Sequence, residues 1–261
     1  MNILETIVKR KKEEVALRKK NVAESQLYTY DLFKRVSINF HQSILKGSGV
    51  IAEFKRKSPS KPTINTGALS TDILPAYAKA GASAASILTD IDFFGGADAH
   101  LTDVRPMVDI PLLRKDFMVD PYQIIEAKVI GADAILLIAE ILTKAEIKEM
   151  ATLATDLGLD VLMEIHTADQ ISKYHDTIRN IGVNNRNLKT FVTDIQYSLD
   201  IFPQLPQDTV KISESGIDDP KTVIKLKAAG YQGFLIGENF MKTTNPGQAC
   251  ANFIQKIKSK A

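Results

Sequence analysis

Eight short apolar runs recur along the chain: Val50 to Lys55, Ala85 to Asp90, Pro111 to Asp116, Ala134 to Glu140, Val161 to His166, Ile181 to Arg186, Val210 to Ser215 and Phe234 to Asn239. Their spacing is about 27 residues, as expected of a strand followed by a helix repeated through about 250 residues. Parallel strands covered on both faces read as continuous apolar stretches rather than as an alternation, and these runs do. Most of them end in a charged or amide side chain, among them Glu53, Lys55, Lys115, Glu164, Asn184, Arg186 and Glu214. In a closed barrel of eight parallel strands the active site is built at the strands' C-terminal ends. The pattern therefore predicts polar groups gathered around one mouth.

The segments between the runs are amphipathic and carry helix start and stop signals. Asp120-Pro121 precedes YQIIEAKVI, and Gly131 closes it; Asp219-Pro220 opens KTVIKLKAA, and Gly230 ends it; Asn245-Pro246 opens the last helix. Thr143 to Glu146 and Thr167 to Gln170 both have capping-box spacing. Strand alternating with helix predicts a single (β/α)8 TIM barrel with right-handed crossovers. The alternative, an open doubly wound sheet, lacks a GxGxxG after the first strand.

Residues 1–46 stand outside the repeat and are expected to form an N-terminal helical extension on a barrel of residues 47–261, together one structural domain. Ile3, Leu4, Ile7 and Val8 lie at helical spacing, so this stripe should dock on one end of the barrel. The run KRKKEEVALRKK, with acids interleaved, reads as a solvated helix face, and Tyr30 to Leu45 as a second helix.

Composition narrows the class without changing the fold. Hydrophobic content of 44% and charged content of 25% fit a soluble globular protein. With 33 basic and 31 acidic residues the net charge of +2 offers no field for nucleic acid or an anionic membrane. Cys250 is the only cysteine, and His41, His100, His166 and His175 show no metal-ligand spacing, so neither disulfide nor metal is expected. Charges come too early for a signal peptide, and no run approaches a membrane span. A cytoplasmic, monomeric enzyme is the expectation.

Strand alternation assigns the inward groups. Glu53 shares a face with Lys55, Lys115 with Leu113, and Glu164 with Leu162. Burial lowers the pKa of a lysine and raises that of a glutamate, which suits both to proton transfer. The alternatives are structural: Glu53 paired to Lys55, Lys115 paired to Asp116, or Glu164 capping at Thr167. The basic, Pro- and Ser-rich KSPSKP after the first run reads as a ligand loop. Asn184 and Arg186 suit hydroxyls and a carboxylate, although NNRN is also an ordinary turn sequence. SESGI and LIGEN bring Gly216 and Gly237 to the ends of the last two runs, where barrels often hold phosphate on backbone N–H groups.

In this order and spacing, IAEFKRKSPSK, LLRKDFMVDPYQI, VLMEIH, IGVNNRNL, SESGI and LIGENFM resemble the indole-3-glycerol phosphate synthase family over nearly the whole chain. The resemblance implies a carboxy-lyase of tryptophan biosynthesis that closes the ring of 1-(2-carboxyphenylamino)-1-deoxyribulose 5-phosphate without a cofactor. It places the general acid on Lys115 and the general base on Glu164, with Glu53 and Lys55 in supporting catalytic roles and Lys55 also near the substrate phosphate. Ser58 and Arg186 fall near the anthranilate carboxylate, Asn184 and Glu214 on polar substrate contacts, and Ser215, Gly216, Gly237 and Glu238 on the phosphate site. The chain departs from the family after the second run, where Thr89-Asp90 and Phe93 to Ala97 replace the usual Thr-Glu and Gly-Ser, and at Glu238, where many members have Ser.

Two other functions share the barrel. An isomerase acting on phosphoribosyl anthranilate typically uses a Cys and an Asp, whereas the sole cysteine here lies in the last helix. A phosphate-ligand sensor without catalysis would have no use for Lys115 and Glu164.

Overall fold

The computed structural model describes residues 3–187 and 192–259. All eight runs are strands: β1 Val50–Phe54, β2 Ala84–Leu88, β3 Leu112–Lys115, β4 Ala134–Ile138, β5 Asp160–Ile165, β6 Asn180–Asn184, β7 Val210–Glu214 and β8 Gly233–Ile236. They pair in sequence order, and β8 returns to β1 with Val50 opposite Phe234, closing a parallel barrel. Leu188 of the IGVNNRNL motif lies outside the described residues, as do the two outermost residues at each end of the chain.

Alternate strand residues fill the two sides of the wall. Ile51, Ala84, Leu113, Ala134, Leu136, Leu162, Ile212 and Leu235 pack together inside the barrel, while Val50, Ile87, Leu137, Met163, Ile181 and Phe234 pack outward under the helices. Ridges of apolar residues on the crossover helices cover that outer face, as on Lys144–Asp156 with Ile147, Met150, Ala151 and Ala154 buried. The inward positions at the strand ends can thus carry chemistry, as Lys115, Glu164 and Glu214 do on β3, β5 and β7.

Capping held where the side chain could reach the helix. Thr143 and Glu146 form a reciprocal capping box, Asp219 accepts from the Lys221 N–H, and Asn245 from the Gln248 N–H. At Thr167 no box forms: a 3-10 helix, Ala168–Lys173, follows β5, and Gln170 instead accepts from the His166 backbone N–H at 2.7 Å. The connection after β2 is likewise reduced, to a four-residue helix at Ala99–Thr102.

The N-terminal extension clasps both ends of the barrel. Helix Phe40–Lys46 plugs the N-terminal end, where Phe40 and Ile44 join the inner cluster and the N–H groups of Phe40 and His41 bond to Asp160 at the foot of β5. The long helix α1, Ile3–Asn21, crosses the opposite end, where Ile7 joins the same cluster. Tyr30 to Leu45 is therefore not one helix: a 3-10 turn at Asp31–Lys34 stops, and Asn39 caps a fresh start. Between them the Ile38 N–H and Arg35 guanidinium bond to buried Asp133, which fixes the chain in an extended path.

Most of the basic run in α1 is exposed, as expected of a solvated helix face, and Lys11 is the exception. Lys11 is 1% exposed and lies 3.0 Å from both Asp90 and Asp116 and 2.9 Å from Glu14. Arg10 reaches Asp92, Arg18 reaches Asp98 and Glu126, and Lys19 reaches Asp120. One side of α1 thus sits on acids from the loops after β2 and β3 and from the helix Tyr122–Val129. Among the described residues no helix is long and apolar enough to cross a membrane.

Candidate active site

At the C-terminal mouth one cavity of about 390 Å³ is lined by every residue singled out from the sequence: Glu53, Lys55, Ser58, Lys115, Glu164, Asn184, Arg186, Glu214, Ser215, Gly216, Gly237 and Glu238. They come from six of the strands and the loops that follow them. Lys115, ending β3, is held between two carboxylates, 3.0 Å from Glu164 Oε2 and 2.9 Å from Glu214 Oε2. Asn184 of β6 donates to the other oxygen of Glu164 at 3.2 Å. Neither structural alternative for these two residues is realised: Asp116 pairs with Lys11, and Glu164 faces Lys115 rather than the Thr167 turn.

Ionisation differs from what burial alone implies. Burial pushes Lys115 down, but Glu164, Glu214 and Glu53 outweigh it and hold the ammonium above its ordinary value. Burial pushes Glu164 up, and Lys115 with His166 outweighs it, so this carboxylate stays well below the usual range. Burial does prevail at Glu214, which Lys115 opposes but the Glu164 charge reinforces, raising it to about 8. Like charges this close cannot both ionise easily. At neutral pH the trio is one ammonium, one carboxylate and one carboxylic acid, so Lys115 is charged and Glu164 ionised before any substrate arrives.

A pH dependence follows. Glu214 is raised in the folded state, so between its unfolded value near 4.5 and about 8 the folded protein binds the extra proton and loses stability as pH rises. Glu214→Gln, which imitates the protonated acid, is expected to lose less Tm than the wild type between about pH 6 and about pH 9. Parallel Tm curves for the two proteins would show that Glu214 is ionised throughout.

The ion pair expected of Glu53 and Lys55 is made, at 2.7 Å, while Glu53 Oε2 is buried without a partner. Glu53 lies against Gly237, just past β8, where a Cβ would run into the Glu53 side chain and force it to shift. At the end of β7, Ser215 and Gly216 both adopt positive φ, 68° and 73°. For serine that conformation is strained, and it is held by Asn185, whose amide donates to the Ser215 carbonyl at 3.0 Å. Asn185, bonded also to Ser213 and Ser198, is the structural member of NNRN, whereas Asn184 and Arg186 belong to the cavity. The KSPSKP loop makes a tight turn, Ser58 bonding backbone to backbone with Lys61, and the Lys61 ammonium reaches Glu238 at 2.5 Å.

An apolar wall completes the cavity, and most of it escaped the sequence reading. Ile3, Leu4 and Ile7 come from α1, Phe94 from the loop after β2, Phe117 from the end of β3, and Leu136 and Ile138 from β4. Inward parity on β4 was a signal for the last two. Phe94 is placed by Asp90, one of whose oxygens accepts from the Phe93 and Phe94 N–H groups while the other binds Lys11. The divergent loop after β2 thus presents an aromatic side chain to the cavity and anchors α1 over it.

The family model for indole-3-glycerol phosphate synthase matches residues 4–253. A protein of that name from Bacteroides thetaiotaomicron is 48% identical over 257 residues, covering 98% of this chain and 99% of the relative. With a match spanning both the extension and all eight strands, this chain belongs to the indole-3-glycerol phosphate synthase family.

Proposed function

We propose that the chain converts 1-(2-carboxyphenylamino)-1-deoxyribulose 5-phosphate to indole-3-glycerol phosphate, releasing one carbon dioxide and one water. The observation that carries this reading is the Lys115 ammonium clasped by Glu164 and Glu214 in a cavity that has an apolar wall on one side and the Ser215-Gly216 and Gly237 turns on the other. The wall suits an aryl ring. The turns suit a phosphate held by backbone N–H groups, with Lys55 supplying charge.

Ring closure joins the carboxylate-bearing aryl carbon to the ketone carbon, and the carbonyl electron pair moves to oxygen. Lys115 supplies the proton there, because a developing alkoxide is a far stronger base than the Glu164 carboxylate that holds the ammonium beforehand. The substrate nitrogen becomes an iminium and takes up the electron pair freed when the carbon–carboxylate bond breaks. Carbon dioxide leaves, and the six-membered ring is aromatic again. In the dehydration the new hydroxyl departs with a proton from an acid, and Glu164 takes a proton from the ring, giving the indole. Ser58 and Arg186 hold the carboxylate; Glu53, Asn184 and Glu214 take the sugar hydroxyls; Ser215, Gly216, Gly237 and Glu238 form the phosphate rim.

Residues 1–46 and 47–261 act as one unit in this reading, because α1 walls the cavity. The protein is taken to work as a monomer in the cytoplasm, since its own chain closes the site.

Purified protein incubated with that substrate and no added cofactor is expected to release carbon dioxide and develop indole fluorescence; absence of both rejects the reading. Arg186→Ala should weaken binding of the carboxylated substrate by about 1.5 to 3 kcal/mol, the scale of a charge-assisted hydrogen bond. A decarboxylated analogue should lose far less. Equal losses for both ligands would mean that Arg186 only shapes its loop, where its Nε lies 3.3 Å from Thr193 Oγ1.

A further inference from the structure

His166 follows Glu164 by two residues and so points to the same side of β5, yet it does not line the cavity. Its side chain is 7% exposed, and Nε2 lies 3.2 Å from Glu164 Oε1, off the line a good hydrogen bond needs; Nδ1 has no partner. The backbone beneath it is firmly placed. Gln170 accepts from the His166 N–H at 2.7 Å and its own amide bonds to Glu140 beyond β4, while Lys173 bonds to the Ala139 and Leu142 carbonyls at 2.7 and 2.8 Å. A buried imidazole carried on a braced loop, 3.2 Å from a carboxylate, costs more to bury than an apolar ring of its size unless it serves that carboxylate.

We propose that His166 is a positioning residue that holds the Glu164 carboxylate from behind, leaving Oε2 to Lys115, and that its protonation withdraws Glu164 from service as a base. This rests on the base role given to Glu164 above. A neutral imidazole donates through one nitrogen only, and an Nε2–H turned slightly toward Oε1 joins the Asn184 amide on that oxygen. A protonated imidazole adds a full charge at the same place and makes Glu164 a weaker proton acceptor. The groups that face it are Glu164 on its own strand, Glu214 on β7 and Glu140 after β4, with Lys115 on the far side of Glu164. Burial pushes the imidazole down, but these carboxylates, Glu164 foremost, hold it above the ordinary histidine value. The upward direction favours the charged form that weakens the base.

Two measurements test this. The first compares pH profiles of kcat for the wild type, His166→Leu and His166→Gln. Loss of the anchor in His166→Leu is expected to lower kcat roughly ten- to a hundredfold, the scale of a misplaced reacting group, with KM changed far less. His166→Gln, which keeps an N–H but cannot take a charge, should recover most of that loss and shift the acidic limb to lower pH. Profiles for wild type and His166→Gln that superimpose, or an unchanged kcat in His166→Leu, overturn the proposal. The second measurement follows the His166 imidazole by NMR in the intact protein and in Glu164→Gln. Its midpoint should fall when the Glu164 charge is removed, and an equal midpoint in both proteins overturns the proposal whatever reaction the protein performs. A wild type that binds the substrate but makes no indole overturns the base role, and with it both proposals, even if the midpoint moves.

Discussion

Replacing Lys115 by Ala, or Glu164 by Gln, is expected to lower kcat by ~10²-fold or more, the usual scale of a lost acid or base. The two variants should fail differently. Without Lys115 the alkoxide formed at ring closure has no charged donor, so the first bond-forming step slows and substrate accumulates with its carboxylate intact. Without the Glu164 charge, ring closure and decarboxylation retain their acid, and the cyclised hydroxy compound has no base to complete dehydration. Single-turnover experiments that follow carbon dioxide and indole separately resolve the two: both signals fall together in Lys115→Ala, whereas carbon dioxide outlasts indole in Glu164→Gln. Far-UV circular dichroism and a denaturant midpoint check that each variant is folded, since Lys115→Ala removes the cation between two buried acidic side chains. If both folded variants keep near-normal kcat, the acid and base lie elsewhere in the cavity.

The barrel was legible because burying a parallel strand on both faces demands an unbroken apolar run, and eight such runs can satisfy one another only by closing. The site was legible for a related reason. A charged residue at the inward end of such a run has either a catalytic or a structural explanation, and Glu53, Lys115 and Glu164 stood out because three different strands each carry one. What was not legible depends on pairs far apart in the chain. Lys11 sits in a run of alternating charges that looks self-sufficient on a helix, and only its contact with Asp90 and Asp116, 79 and 105 residues away, makes it a buried group. Phe94 could not be placed without Asp90, nor the Tyr30 to Leu45 segment without Asp133. Protonation states also depend on such distant pairs. The expected downward shift of Lys115 and upward shift of Glu164 considered each group alone, whereas the pair they form reverses both, and the raised value falls to Glu214, the third member.

Lys11→Ala is expected to be the most destabilising of the substitutions considered, at about 3 to 5 kcal/mol, the cost of leaving a buried charge without its partner. Asp90 and Asp116 are each 2% exposed and would face one another across the vacated space. Asp116 would keep Thr89 at 2.7 Å and a long contact to Arg114 at 3.5 Å, but Asp90 would keep only the loop N–H groups it caps. The loss should appear first at α1, which is anchored there, and then in the cavity, because Ile3, Leu4 and Ile7 form part of its wall. Amide exchange in residues 3–21 should quicken, trypsin should cut within the KRKK run, and KM should rise more than kcat falls. The effect has a definite sign with pH. Burial raises Asp116, but Lys11 and Arg114 outweigh it and hold its pKa below the ordinary 3.8. The stability that Asp116 contributes is therefore present above that value and lost as pH falls through the lower folded value. Lys11→Ala should flatten that acid loss by removing its largest cause, so the gap between the two proteins is widest near neutral pH and narrows on acidification. A variant that is as stable as the wild type at neutral pH, with α1 equally protected, would show that the apolar stripe alone docks the helix.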